Sequence, residues 1–84
     1  MLNNLIKLKV EILLFGRLTE LVGLTHFQME NVLDTDALTA VLSEKYPSLQ
    51  QVKYQVAVNQ KVINNNVALA DGMTVALMPP FSGG

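Results

Sequence analysis

LIKLKVEILLF, residues 5–15, alternates between apolar and charged side chains over most of its length. This period of two is typical of a β-strand with one face buried and the other in water. Leu13 and Phe15 interrupt the pattern, because they are apolar on the face that also carries Lys7, Lys9 and Glu11. The end of this strand is therefore predicted to be apolar on both faces. The buried face should carry Ile6, Leu8, Val10, Ile12 and Leu14.

A second alternating segment, MTVALMP, occupies residues 73–79. We expect Val75 and Leu77 to face the core and Ala76 and Met78 to point outward. A shift of one residue would exchange these two faces, so the assignment depends on the register of the strand.

The residues between these two strands contain signals for further helices and strands. In order, they predict a short helix at 17–23, a strand at 25–32, a helix from an Asp34 N-cap to about Tyr46, and strands at 54–59 and 61–63 around a tight turn at Asn59-Gln60.

The order β-α-β-α-β-β-β predicts an α+β fold with one long helix packed on one face of a mixed sheet of about five strands. The long connection through the helix allows the last strand to run parallel to the first. The β-grasp, or ubiquitin-like, fold has this arrangement, with the first and last strands side by side at the sheet centre. Because no linker or repeat is visible, residues 1–84 are predicted to be a single domain, with 80–84 as a flexible extended C-terminal tail.

Composition excludes several classes of function. Apolar residues make up 50% of the chain and charged residues only 15%, with a net charge of −1. Scattered basic residues give no support for nucleic-acid binding, which needs a concentrated basic face. No apolar run approaches the length of a membrane span, and no signal peptide is visible, so we expect a cytoplasmic protein without a membrane association. The absence of cysteine excludes a disulfide framework and a thiolate nucleophile.

Few residues suggest catalysis within the chain. His26 is the sole histidine and lies on the polar side of a predicted strand, where a solvated histidine is the simplest interpretation. The acidic residues are spread out, so neither an acid/base pair nor a metal site is predicted, and no phosphate-binding glycine motif is present. The remaining candidate for chemistry is the chain terminus.

Four apolar side chains are predicted to meet at the root of that terminus. If the first and last strands are parallel, Leu13 and Phe15 join Ala76 and Met78 in one outward patch beside Phe81. Exposed apolar patches tend to mark partner surfaces. Two alternatives remain open at this point: a loop covers the patch, or the register differs by one residue.

The terminus itself, MPPFSGG, occupies residues 78–84. Pro79 and Pro80 favour an extended backbone and direct the chain away from the body of the domain. Gly83 and Gly84 have no side chains and suit a narrow channel, so the tail can deliver the carboxylate of Gly84 into the active site of another protein. A frayed terminus rich in small residues is the alternative.

Three segments resemble one known family. The ending DGMTVALMPPFSGG (71–84) closely resembles the small subunit of molybdopterin synthase, in which a D-G-x-x-V-x-x-x-P-P-x-x-G-G ending is common. LFGRLTELVG (14–23) and AVNQ (57–60) resemble further family segments, so that the resemblance covers most of the chain. One departure is Thr19, which stands before Glu20 where family members often carry an arginine.

The resemblance implies a sulfur carrier that is not catalytic alone. A ubiquitin-activating-type adenylyltransferase would use ATP to adenylate Gly84, which then becomes a thiocarboxylate, while the chain itself binds no cofactor and no metal. Gly83 and Gly84 would enter the active site of the large synthase subunit, in a heterotetramer of two small and two large subunits. Partner contacts would come from Leu13, Phe15, Ala76, Met78, Pro79, Pro80, Phe81 and Ser82.

Two other functions remain open from the sequence. The first is a sulfur carrier for thiazole synthesis or tRNA thiolation, against which the Pro79-Pro80 pair argues because thiazole-synthesis carriers typically lack it. The second is a ubiquitin-like interaction module with an inert tail and no carrier chemistry.

Overall fold

The computed structural model describes residues 8–80. Residues 1–7 and 81–84 lie outside this part, and with them lies the start of the strand predicted at 5–15. In chain order the elements are β1 (Lys9–Leu14), α1 (Arg17–Val22), β2 (His26–Glu30), α2 (Thr35–Lys45), a 3₁₀ helix (Pro47–Gln51), β3 (Gln55–Val58), β4 (Lys61–Val62) and β5 (Thr74–Met78).

The five strands form one mixed sheet in the order β2-β1-β5-β3-β4. β1 and β5 are parallel neighbours, whereas β2, β3 and β4 pair antiparallel with the strands beside them. The β-grasp prediction is confirmed, including the parallel pairing of the first and last strands. This pairing places the C-terminal ends of β1 and β5 side by side at the same end of the sheet.

The register of β1 against β5 is fixed where β5 begins. The Asp71 side chain accepts a hydrogen bond from the Lys9 backbone N–H at 2.7 Å, and the Gly72 N–H donates to the Lys9 carbonyl at 2.8 Å. Gly72 has φ +87°, a backbone conformation that favours glycine, so Asp71 and Gly72 form a turn before β5. Because this turn clamps Lys9, the residues that follow in the two strands align in one register.

α2 begins as the sequence predicts and covers one face of the sheet. The Asp34 carboxylate accepts a hydrogen bond from the Ala37 N–H at 2.8 Å, which satisfies one of the unpaired donors of the first turn. Leu38 and Leu42 are fully buried, and each such side chain contributes roughly 1.5–3 kcal/mol to folding. Val41 of the same helix is 44% exposed, so the buried face of α2 is narrow.

The 3₁₀ helix was not predicted. Pro47 ends α2 at Tyr46, as expected, but it also begins this further turn, and Leu49 projects from it into the core. The Leu49 N–H donates to the Tyr46 carbonyl at 2.9 Å, which links the two helices.

The β3–β4 hairpin turns at Asn59 and Gln60, as predicted. Both residues have positive φ, +48° and +73°, as a two-residue hairpin with the twist of its strands requires. Asn59 also binds β5, since its side chain accepts from the Thr74 N–H at 2.9 Å and its own N–H donates to the Thr74 carbonyl at 2.8 Å. The hairpin is thereby held in fixed register beside the central strand.

Candidate functional site

The face of the sheet opposite α2 carries a row of apolar side chains across neighbouring strands. In the parallel pair, Leu13 lies opposite Ala76, and in the antiparallel pair Ala57 lies opposite the same Ala76. Val62 of the hairpin lies opposite Ala57. Small side chains at the centre and larger ones at the sides make this part of the sheet concave.

The concave surface is a groove of about 730 Å³. Two large apolar side chains on it are strongly exposed: Phe15 by 48% and Val62 by 52%. Because an apolar surface gains free energy when it leaves water, this groove favours binding of an apolar partner surface. The groove is lined by Leu13, Phe15, Ala57, Asn59, Gln60, Val62, Thr74, Ala76 and Met78.

The root of the tail lies at the end of the groove. The Phe15 N–H donates to the Leu77 carbonyl at 3.0 Å, which extends the β1–β5 pairing one residue beyond the end of β1. Gly16 follows with φ +61° and ψ −141°, and a Cβ placed on it would lie 2.7 Å from Cγ of Pro79. Glycine at position 16 therefore lets Pro79 pack directly against the backbone between β1 and α1.

The first turn of α1 supports this contact. The Thr19 hydroxyl donates to the Gly16 carbonyl at 2.8 Å, and the Thr19 N–H donates to the same oxygen at 3.1 Å. Thr19, the residue that departs from the family pattern, thus holds the residue against which Pro79 packs.

A smaller hollow of about 200 Å³ lies beside the prolines. Its lining includes the basic residues Arg17 and Lys53 together with Pro79 and Pro80. Two cationic side chains therefore flank Pro79 and Pro80, and they favour binding of anionic groups there.

The structure brings together Leu13, Phe15, Ala76 and Met78, as the sequence predicted. Val75 and Leu77 are 0% exposed, so the alternative register, which would have exchanged the two faces, is wrong. The groove is open to solvent within the part of the chain that the structure describes, so no loop of residues 8–80 covers it.

Pro79 and Pro80 are exposed at the root of the tail, as expected. Phe81, Ser82, Gly83 and Gly84 lie outside the described residues, and their roles stay predictions. The partner contacts assigned to the other site residues also stay predictions, although their positions are now known.

Five groove residues were missed from the sequence: Ala57, Asn59, Gln60, Val62 and Thr74. A signal for two of them was present, because the tight turn at Asn59-Gln60 sets Val62 opposite Ala57. Their proximity to Ala76 depends on the pairing of β3 with β5, which no local pattern encodes.

Titratable groups form no catalytic cluster in the part that the structure covers. His26 is exposed, and its Nδ1 lies 3.3 Å from the Thr25 hydroxyl. Burial raises the pKa of the Tyr54 phenol above the usual 10.0, while a hydrogen bond with Ser43 opposes the rise. Across residues 8–80 no group of three or more histidine and acidic side chains is placed to hold a metal ion.

None of the helices formed by residues 8–80 has the length and apolar character needed to cross a membrane.

The topology and the exposed groove beside a C-terminal segment define a ubiquitin-like β-grasp protein. A crystal structure of the small archaeal modifier protein SAMP1 from Haloferax volcanii has a TM-score of 0.69 and 29% identity, over 90% of this chain and 99% of that one. A chain in a protein–protein complex of subunits 1 and 2 of molybdopterin-converting factor from Helicobacter pylori 26695 has a TM-score of 0.70 and 32% identity, over 92% of this chain and 100% of that chain.

The chain belongs to the ThiS family, whose profile matches residues 12–84. It is 34% identical to a molybdopterin synthase sulfur carrier subunit of Mycobacterium tuberculosis, over 92% of this chain and 99% of the relative. The resemblance seen in the ending of the sequence is thereby confirmed.

Proposed function

We propose that this protein is the sulfur carrier subunit of a molybdopterin synthase and that Gly84 carries the sulfur. The observation that carries the proposal is the groove across β1, β5 and the β3–β4 hairpin, which reaches Met78, the residue before Pro79 and Pro80. It is supported by the 34% identity to a relative with that function.

The chemistry requires an activated C-terminus. A Gly84 carboxylate oxygen attacks the α-phosphate of ATP, and pyrophosphate leaves to give an acyl-adenylate. A sulfur donor at the oxidation level of sulfide then attacks the carbonyl carbon, and AMP leaves with its oxygen to give the thiocarboxylate. Activation is needed because a carboxylate oxygen is a poor leaving group, whereas AMP is a good one.

The thiocarboxylate sulfur then attacks a carbon of cyclic pyranopterin monophosphate in the active site of the large subunit. A C–O bond at that carbon breaks, and the oxygen group leaves with the bonding electron pair. Two such transfers supply the two sulfurs of the dithiolene. After each transfer, water attacks the Gly84 carbonyl carbon and the C–S bond breaks, so that the carboxylate is regenerated. General acids and bases for these steps come from the partner. The role proposed for the carrier is to position the Gly84 thiocarboxylate. Ordering a free backbone costs about 1–2 kcal/mol per residue, and the two prolines reduce that cost before binding.

The groove is proposed to bind the large subunit. Phe15 and Val62 expose apolar area around a floor of small side chains, which suits large apolar side chains from a partner. The complex of subunits 1 and 2 in the Helicobacter pylori relative supports an interaction of this kind. For this chain we propose a heterotetramer of two small and two large subunits.

The second proposed partner is a ubiquitin-activating-type adenylyltransferase, which binds the ATP. The carrier is proposed to hold no cofactor of its own and to work in the cytoplasm, where both partners would act. Arg17 and Lys53, which flank the prolines, lie where anionic groups near the activated terminus would be attracted.

Intact-mass measurement tests the carrier chemistry. The full chain is incubated with an active adenylyltransferase, ATP and a sulfur donor, and we expect the mass increase of one oxygen replaced by one sulfur. The increase should be lost when Gly84 is deleted and retained in Ala40→Glu, a substitution on the exposed side of α2. No mass increase with an enzyme that modifies another carrier would refute the proposal.

Two alanine-to-glutamate substitutions, one in the groove and one on α2, test the docking surface. Ala76→Glu places a carboxylate in the middle of the groove, where a bound partner would strip it of water, so affinity for the large subunit should fall at least about tenfold. Ala40→Glu introduces the same charge on α2 and should leave affinity unchanged. Equal affinities for the two variants, measured by calorimetry, would show that the groove is not the interface.

A second candidate function is a protein modifier, which the likeness to the Haloferax volcanii modifier protein favours. In that case the activated Gly84 would react with an amine and form an amide bond to another protein. The two candidates differ in the intact-mass experiment, because a modifier gives conjugates of higher mass when acceptor proteins replace the sulfur donor.

A further inference from the structure

The two edges of the sheet differ in their protection against pairing with another strand. β4 at one edge has only two residues and includes Lys61, both of which oppose further pairing. β2 at the other edge has five residues, HFQME, with no proline, glycine, lysine or bulge. A regular and unprotected edge strand is a template for an additional strand.

The β1–β2 ladder shows which backbone groups of β2 are directed outward. The Leu14 N–H donates to the Thr25 carbonyl at 2.9 Å, and the Asn31 N–H donates to the Leu8 carbonyl at 2.7 Å. Since hydrogen-bonded residues alternate along an antiparallel strand, positions 25, 27, 29 and 31 face β1. The N–H and C=O groups of His26 and Gln28 therefore point away from the sheet.

We propose that this edge binds a second copy of the chain, by antiparallel pairing of β2 with β2. The proposed register is centred on Gln28, which lies opposite Gln28 of the second copy. His26 then lies opposite Glu30 of the second copy, and the two copies exchange both N–H···O=C bonds at each of these pairs. The outward groups of one strand thus meet the outward groups of the other.

The side chains are complementary in the same register. An imidazole N–H of His26 can donate to the Glu30 carboxylate of the second copy, and the symmetry repeats this pair at the other end of the strand. Glu30 also interacts within its own chain, and a carboxylate has acceptor positions for more than one donor. His26 and Glu30 are the first and last residues of β2, so their complementary side chains meet when two copies pair antiparallel about a two-fold axis.

The opposite face of the paired strands is apolar. Phe27 and Met29 are half-buried on the α2 side, and the proposed register sets Phe27 opposite Met29 of the second copy. These are the closer, non-hydrogen-bonded positions of the ladder, where a thioether and an aromatic ring attract each other. Pairing would therefore cover the apolar area that α2 leaves exposed at this edge.

The proposed dimer leaves the groove free. None of the residues that line the groove belongs to β2, because the groove spans β1, β5 and the β3–β4 hairpin. Both copies would keep their tail roots open. The five-residue contact is small, so we expect a weak dimer that exchanges rapidly, with a dissociation constant in the micromolar range or above.

Sedimentation equilibrium of the full chain alone, at increasing concentration, tests the pairing. Gln28→Pro removes an N–H that points away from β1, so the monomer can keep its fold, while the central hydrogen-bonded pair of the dimer is lost. We expect the dimer dissociation constant to rise about tenfold or more. Gln28→Thr keeps the N–H and a strand-forming side chain, and it should dimerise like the parent.

His26→Glu is a second variant that leaves the backbone unchanged. It sets two carboxylates opposite each other, so the dissociation constant should rise about threefold or more. Ala76→Glu distinguishes association through the β2 edge from association through the groove. It changes only the groove, so it should leave dimerisation through β2 unaffected. Self-association that is abolished by Ala76→Glu and kept in Gln28→Pro would overturn the proposal, as would a strictly monomeric parent chain at millimolar concentration.

Amide hydrogen exchange locates the contact directly. The amides of His26 and Gln28 should exchange more slowly as the concentration of the chain rises, because pairing removes them from water. Exchange at these two amides that does not depend on concentration, in a sample that dimerises, would place the contact elsewhere and refute β2 pairing.

Discussion

Gly16→Ala is expected to destabilise the protein and displace the root of the tail. Gly16 combines φ +61° with ψ −141°, a region of backbone conformation that side chains disfavour. The new methyl group would also lie 2.7 Å from Cγ and 3.3 Å from Cδ of Pro79. Real Cβ atoms almost never approach another carbon as closely as the first of these distances, so Pro79 must move.

The size of the effect follows from these two contributions. A residue held in a sparsely populated backbone region costs on the order of 1–3 kcal/mol. Forcing an extra methyl group into a packed contact costs about 1–3 kcal/mol more. The total of about 2–6 kcal/mol is a large fraction of the roughly 5–15 kcal/mol that stabilises a domain of ordinary size. At about 4–8 °C per kcal/mol, Tm should fall by at least about 8 °C.

A double-mutant cycle separates the contact from the backbone strain. Urea denaturation is measured for the parent, Gly16→Ala, Pro79→Ala and the double variant. Alanine at 79 lacks Cγ and Cδ, so Gly16→Ala should cost about 1–3 kcal/mol less in that background. Gly23→Ala is the control for a strained glycine in open space, since Gly23 has φ +86° and no atom within 4 Å of an added Cβ.

Two results would contradict this reasoning. A coupling energy below about 0.5 kcal/mol would show that residues 16 and 79 are not in contact, because uncoupled sites add within about that limit. The second contradicting result is a Gly16→Ala variant that loses no more stability than Gly23→Ala, because the contact with Pro79 would then add nothing to the backbone strain. If the contact exists and also directs the tail, Gly16→Ala should in addition weaken large-subunit binding beyond what its remaining folded fraction explains.

Three further outcomes can be checked by denaturation. Asp34→Ala removes the N-cap of α2 and should cost about 0.5–2 kcal/mol in urea unfolding; an unchanged midpoint would contradict the role of the cap. Leu49→Ala empties a buried position and should cost about 2–5 kcal/mol, whereas a loss below 1 kcal/mol would mean that the 3₁₀ helix is not anchored by it. The Tyr54 pKa is raised in the folded state, so its contribution to stability is complete below pH 10.0 and is lost as pH rises from there through the folded-state value. Tyr54→Phe should flatten the alkaline loss of stability in a pH series of thermal melts, and an equally steep loss in this variant would contradict the assignment.

Local patterns were sufficient to predict the central part of the fold. Alternation located β1 and β5, and the residues that it predicted to face the core are buried. Asp34 and the Asn59-Gln60 pair predicted a helix start and a tight turn because each acts on backbone groups within a few residues. The outward positions of Leu13 and Ala76 followed from the same alternation once the strands were taken as parallel.

The missed features depend on contacts between residues distant in the sequence. Leu49 is a lone apolar residue in a polar segment after a proline, so no periodicity marks it as part of the core. Ala57 and Val62 enter the groove only through the pairing of β3 with β5. The Gly16–Pro79 contact joins the turn after the first strand to the residue after the last strand, and neither segment alone indicates it.

The place of β5 in the sheet has a consequence for the newly made chain. β5 follows every other strand in the sequence, yet it lies between β1 and β3. Until it emerges from the ribosome, the sheet exists only as two separate strand pairs, and the surface that joins them is incomplete. The groove and the root of the tail therefore form in the same step that closes the sheet, and no shorter nascent chain can present one without the other. The order of synthesis thus ties the groove to the completion of the sheet.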